Sequence, residues 1–153
     1  DADYMNFDLG ANISGILAGV NYEALSGASA GKTAFSTPLA TGHKFNGWAD
    51  KFLATPSGGL KDANIRLGYT AKGLGKILAV YHDFKADENM AMVGGTTDDL
   101  GSEIDVVYTN KIPGVNNLTG ILKYASYSKG EATGYTVDVT KAWVGLDYKF
   151  ATK

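Results

Sequence analysis

Polar and apolar residues alternate with a period of two through most of this chain. Between residues 4 and 13, Met5, Phe7, Leu9, Ala11 and Ile13 take turns with Asn6, Asp8, Gly10 and Asn12, the repeat of a β-strand with one apolar face. After Ser14-Gly15 a second segment sets Ile16, Ala18, Val20, Tyr22 and Ala24 against Gly19, Asn21 and Glu23. So short a link predicts a tight hairpin. A third segment, 62–71, opposes Ala63, Ile65, Leu67 and Tyr69 to Asn64, Arg66, Gly68 and Thr70, and turns at Lys72-Gly73-Leu74-Gly75. The fourth carries Ile77, Ala79 and Tyr81 opposite Leu78, Val80 and His82, so its sidedness is the least marked. The fifth, 101–109, alternates Ile104, Val106 and Tyr108 with Glu103, Asp105 and Val107 before Pro113-Gly114, where proline marks a turn and not the ladder. The sixth, 117–127, places Leu118, Leu122 and Tyr124 opposite Thr119, Lys123 and Ala125. The last, 140–150, is the cleanest: Ala142, Val144, Leu146, Tyr148 and Phe150 form one row, Trp143, Gly145, Asp147 and Lys149 the other. The pattern predicts about seven strands and no helix.

The links alternate in length as well. Those at 14–15, 72–75 and 111–116 are short; those at 26–61, 85–100 and 128–139 are long. Short periplasmic turns and longer extracellular loops give transmembrane barrels this asymmetry, so the chain is expected to be an all-β, antiparallel up-and-down transmembrane barrel segment spanning 1–153, with its C-terminus periplasmic. Tyr22, Tyr69, Tyr81, Tyr108, Tyr124 and Tyr148 fall near strand ends on the apolar rows, where amphipathic rings form interfacial girdles. Seven is odd, and single-chain bacterial barrels close with an even number. Upstream strands, a further strand inside the long loop, or several chains sharing one barrel would complete it, and upstream strands are the preferred account. The same alternation also describes a soluble sandwich or barrel whose apolar face points inward and binds an apolar ligand.

Composition narrows the classes without choosing between these two. The 153 residues include 20 Gly and 3 Pro, which suits turns and close-packed strands. Every apolar run is broken within a few positions, so no helix is expected to span a membrane, although a barrel hides behind a mean hydropathy of −0.10. A net charge of −2 with scattered signs offers no basic stripe, and nucleic acid is not an expected partner. The chain opens on polar residues with no cleavable leader in view, as a mature form or an internal fragment would. The absence of cysteine removes disulfides, thiol catalysis and Cys-based zinc sites. With only His43 and His82, and no Gly-x-Ser-x-Gly elbow, no enzyme activity, metal or cofactor is expected. Asp87, Glu88, Asp98 and Asp99 lack the spacing of a calcium loop.

If the apolar rows face lipid, the opposite rows line a lumen. The pore-lining candidates are Asp8, Glu23, Asn64, Arg66, His82, Glu103, Asp105, Lys123, Asp147 and Lys149, joined by Asn21 and Lys141. Rings of charge of this kind set ion and solute selectivity, and here both signs occur. Arg66 is the only arginine and is suited to pairing with a carboxylate or an anionic solute. The 26–61 loop is long enough to fold on itself and act as a constriction. Its gating candidates are Phe45, Trp48, Asp50, Lys51 and Phe52.

One stretch carries a resemblance. Residues 35–52, with the block Phe45-Asn46-Gly47-Trp48-Ala49-Asp50-Lys51-Phe52, resemble the C-terminal region of porin-like proteins of the alginate-export family. Tyr22-Glu23, Thr55-Pro56, Gly59-Leu60-Lys61-Asp62, Ala79-Val80-Tyr81-His82-Asp83-Phe84, Gly101-Ser102-Glu103, Lys123-Tyr124-Ala125 and Tyr148-Lys149-Phe150 follow in the order which that family shows. The resemblance implies an outer-membrane channel of Gram-negative bacteria for small hydrophilic or anionic solutes and ions. Its implied partners are outer-membrane lipid and the barrel assembly machinery, which reads a terminal aromatic residue. Here Ala151-Thr152-Lys153 follow that residue.

Overall fold

A computed structural model describes residues 1–29, 31–37 and 42–150; the tail Ala151-Thr152-Lys153 and part of the 35–52 stretch, Pro38 to Thr41, lie outside the described residues. The seven strands are β1 (Tyr4–Ile13), β2 (Ile16–Leu25), β3 (Leu60–Ala71), β4 (Gly75–Met92), β5 (Gly95–Lys111), β6 (Leu118–Ser128) and β7 (Val139–Tyr148). They pair antiparallel with sequence neighbours in one sheet, in the order β1 to β7. The sheet is not closed: β1 and β7 are its two edges. Outside the strands, among the described residues, a single 3-10 turn occurs at Gly42–Lys44.

The β1–β2 hairpin turns on Ser14 and Gly15, both at positive φ, 52° and 86°, the two-residue geometry whose twist matches that of its strands. From there the registers keep one parity. Leu9 pairs with Val20, Val20 with Ile65, Ile65 with Tyr81 and Tyr81 with Ile104. One residue along, Asp8 pairs with Asn21, Asn21 with Asn64, Asn64 with His82 and His82 with Glu103. Ile77, Ala79 and Tyr81 therefore join the apolar rows, which settles the facing of β4.

One link departs from expectation. The 85–100 segment is not a long loop: β4 runs on to Met92 and β5 starts at Gly95, leaving a turn at Val93-Gly94. The pairing hides this from the sequence. Phe84 pairs with Gly101 but Lys85 with Asp99, so Leu100 is an extra residue at a bulge where Gly101 takes φ +94°. A bulge shifts the side-chain parity by one, and Leu100 is thereby turned under the loop and fully buried. Across from it, residues 86–89 leave the ladder, and the N–H groups of Asp87 and Glu88 donate to Gly58 O at 2.8 Å each. The long loop itself adds no strand to the sheet among the described residues; it holds only an isolated bridge between Ser29 and Lys32.

The buried core is small and lies on the polar-row side. Leu60, Phe84, Leu100, Ala125 and Tyr127 supply its floor, and Ala49 and Phe52 of the loop close it from above. Phe52 sits 4.4 Å from Phe84 and stacks on Tyr135, ring centroids 5.3 Å apart at 12°. Burying an aromatic ring of this size is worth about 2–3 kcal/mol, enough to bias a loop toward one seat. The other face is bare. Leu9, Ile65, Leu67, Leu122, Val144 and Leu146 are all exposed there.

Candidate functional site

Residues 46–52 lie across the polar rows, and strands on both sides of the sheet hold them. Asn46 is buried, and its amide donates to Glu23 Oε2 on β2 at 2.7 Å and to Asp62 Oδ2 on β3 at 3.4 Å. Gly47 follows with φ +83°; a Cβ at this position would stand 2.6 Å from Glu103 Oε2. Glycine is required there twice over, by conformation and by contact. The chain then presents successive N–H groups to β5: Trp48 N donates to Asp105 Oδ2 at 3.1 Å and Ala49 N to Glu103 Oε1 at 2.6 Å. Backbone N–H groups arrayed this way make an anion-binding concavity, here filled by the protein's own carboxylates.

At the next position Asp50, with φ +64°, accepts from Lys141 Nζ on β7 at 2.5 Å and from His43 of its own loop. Burial pushes the Asp50 carboxyl up, but the hydrogen bonds from Lys141 and His43 outweigh it and hold the group below its ordinary value. Lys123 on β6 stands 4.1 Å from the Trp48 ring centroid and 5.1 Å from that of Trp143, with its Nζ 2.8 Å from His43 Nε2. A cation held between two indole faces is favoured electrostatically. Lys51 lies over Tyr127 and Tyr135.

His82 connects the acidic groups below. Its Nδ1 is 2.9 Å from both carboxylate oxygens of Asp62, its Nε2 is 3.8 Å from Asp105 Oδ2, and its ring stacks on Phe84. Beside this cluster Arg66 donates to both oxygens of Asp8, each at 2.6 Å. Between loop and sheet remains a cleft of about 240 Å³, bounded by Asp8, Asn21, Asn64, Arg66, Trp48 and His82.

The sequence-derived set thus divides. Asp8, Glu23, Asn64, Arg66, His82, Glu103, Asp105 and Lys123 share one face and gather beneath or beside the loop. Asp147 lies on the same face toward the short-turn end of β7, paired beside Thr119, and Lys149 follows that strand with its N–H on Asn117 O; both are exposed. Of the loop candidates, Phe52 is buried, Trp48, Asp50 and Lys51 are half-buried, and Phe45 is exposed. The sequence did not single out Asp62, Asn46, Gly47 or His43 as working with these residues. Asp62 continues the Asn64–Arg66 row by period two and was legible on that ground; the loop residues were not.

Compared with family models, with curated proteins and with solved structures, the chain matches none of them. What fold and site define is a class: a seven-stranded antiparallel meander, bare and apolar on one face, with a structured loop fastened over charged residues on the other.

Proposed function

We propose that this chain is the C-terminal part of an outer-membrane, porin-type channel that passes small hydrophilic or anionic solutes, and that it is not an enzyme. One observation carries the reading. Among the described residues the 26–59 loop covers the polar face, through residues 46–52, joined there by Tyr135 of the 129–138 link, and Leu67, Val144 and Leu146 are left at 62%, 83% and 71% exposure. A soluble sandwich would bury that apolar face, because water tolerates contiguous apolar patches of only a few hundred Å². Lipid is the solvent that suits it. On this reading the apolar rows meet the bilayer, the polar rows with Arg66, Glu103, Asp105 and Lys123 line the pore, and the 26–59 segment narrows it. The relation to the alginate-export family belongs to the same proposal, as do the periplasmic C-terminus, assembly by the barrel machinery, and upstream strands that complete the barrel.

Extraction supplies the first test: the protein should require detergent and show heat-modifiable migration on gels. Fluorescent labels at Val144 and Leu146 should then report lipid, and labels at Gly145 and Asp147 water. Monodisperse behaviour in plain buffer, or the reversed label pattern, would sink the proposal.

A further inference from the structure

Glu103 and Asp105 are fully buried, 1% and 0% exposed, and project two residues apart from the same face of β5. Each spends one oxygen on the loop, Glu103 Oε1 on Ala49 N and Asp105 Oδ2 on Trp48 N. Each has one oxygen left, and among the described residues nothing donates to Glu103 Oε2 or Asp105 Oδ1. The two side chains lie within hydrogen-bonding reach of one another, and two buried carboxylates so placed, each with an uncompensated oxygen, are strongly unfavourable if both are ionised. A single proton between the leftover oxygens resolves both deficits, giving one a donor and the other an acceptor. Two carboxyl groups that share a site behave in this way, and the proton belongs to the pair.

We propose that Glu103 and Asp105 share one proton, and that this protonated pair is a pH-sensitive latch holding residues 46–50 against the sheet. The sign follows from linkage. Seated, the pair keeps a proton that it gives up once the loop lifts and water reaches both carboxylates. The seated state therefore binds more protons, and its advantage falls as pH rises, by up to about tenfold per pH unit for one proton. Alkaline conditions lift the loop. Under the channel reading, on which this consequence rests, lifting it widens the pore.

Other titratable groups face the pair. Glu23, Asp62, His82, Lys123, Tyr127 and Lys141 reach toward the same loop from the other strands, and His43, Asp50 and Lys51 belong to it. His82 is turned to Asp62 through Nδ1, and Lys123 is held by His43 and two indoles. The variant Glu103→Gln separates the pair from all of them. Its amide oxygen still accepts from Ala49 N, while its NH₂ donates permanently to Asp105 Oδ1, replacing the shared proton by one that does not titrate. Asp105→Asn does the same in the other direction.

The experiment uses thiol labelling of the detergent-solubilised full chain, which has no native cysteine. Ala49→Cys reports the seat, since Ala49 is 2% exposed, and Leu53→Cys, at an exposed position of the same loop, corrects for the reagent's own pH dependence. The Ala49-to-Leu53 labelling ratio should climb with pH in the parent background and stay low and flat with Glu103→Gln or Asp105→Asn. A flat ratio in the parent, or an unchanged climb in both variants, overturns the latch. Conductance in planar bilayers is read in parallel. If labelling climbs while no channel activity is found, the latch stands and the channel reading fails.

Discussion

Arg66 lies along a lane that only glycine provides. A Cβ on Gly19 would come within 2.7 Å of its Nε, and one on Gly10 within 3.0 Å of a terminal nitrogen, so the two glycines are the space in which the guanidinium reaches Asp8. The pair is bidentate but partly exposed, 22% and 49% for the two side chains, and salt screens it. Its larger effect is on the local field. Arg66→Glu reverses the charge and leaves Asp8 without its cation, so reversal potentials should move toward cation preference, more so at low salt, with conductance little changed. An unmoved potential in a correctly folded variant would place Arg66 off the conducting path. Asp50 answers to pH in the opposite sense from the latch. Its carboxyl is held below its ordinary value by Lys141 and His43 against the effect of burial, so its contribution is full above about pH 4 and fades as pH falls below that. Trp48 and Trp143, the two tryptophans of this chain, both stand against Lys123. Their emission should shift to the red on acidification, and Asp50→Asn should already show that shift at neutral pH.

Among the elements, the strands were legible wherever one face is apolar and the other polar along the whole length. Expected and observed bounds agree at 4–13 for β1 and within about two residues for β2, β3, β6 and β7. The β4–β5 extension was not legible. Asp87, Glu88, Asp98 and Asp99 interrupt any apolar row there, and the bulge at Leu100 puts its two sides out of phase. Strand geometry at that end comes from the Val93-Gly94 turn and from contacts with Gly58 and Gly27 instead. The extension has an accessible tip: Val93 is 96% exposed. On intact cells an impermeant thiol reagent should label Val93→Cys and leave Lys72→Cys untouched, since the two lie at opposite ends of β4. Labelling at Lys72 alone would invert the proposed sidedness.

At the scale of the molecule, the sequence separated the two faces of the sheet but not what happens on the polar one. Phe84 and Tyr127 fall on rows that period two assigns to a wet interior, yet both are buried, because Phe52 and Ala49 fold back over them. No local pattern announces such a contact. Glu103 pairs in space with Ala49, 54 positions away, and Lys141 with Asp50 across 91. The polar residues themselves were readable one by one; their gathering under a loop was not. The two sheet edges carry the opposite lesson, since an odd strand count was visible in the sequence and β1 and β7 are indeed unpaired on their outer sides. In lipid such an edge would cost several kcal/mol for each unsatisfied backbone group, which is why the channel proposal includes further strands.

The tyrosines of the bare face carry a geometric consequence. Tyr22 pairs with Ala63 and Ala63 with Asp83, so the ring of Tyr81 stands two residues below Tyr22's row after two strands. Tyr81 pairs with Ile104 and Ile104 with Ser126, and Tyr124 is again two residues lower. The border set by Tyr22, Tyr81 and Tyr124 therefore descends one residue per strand. With a rise of about 3.4 Å per residue and about 4.8 Å between strands, it slants roughly 35° from the hydrogen-bonding direction. Were that border level with a lipid surface, the strands would lean by the same angle, inside the range found for membrane barrels. A polar-to-polar crossing of about 25 Å would then take roughly nine residues, close to the 10 of β1 and of β7. Polarised infrared spectroscopy of oriented bilayers should return an inclination near 35°, and upright strands would detach the tyrosines from the interface.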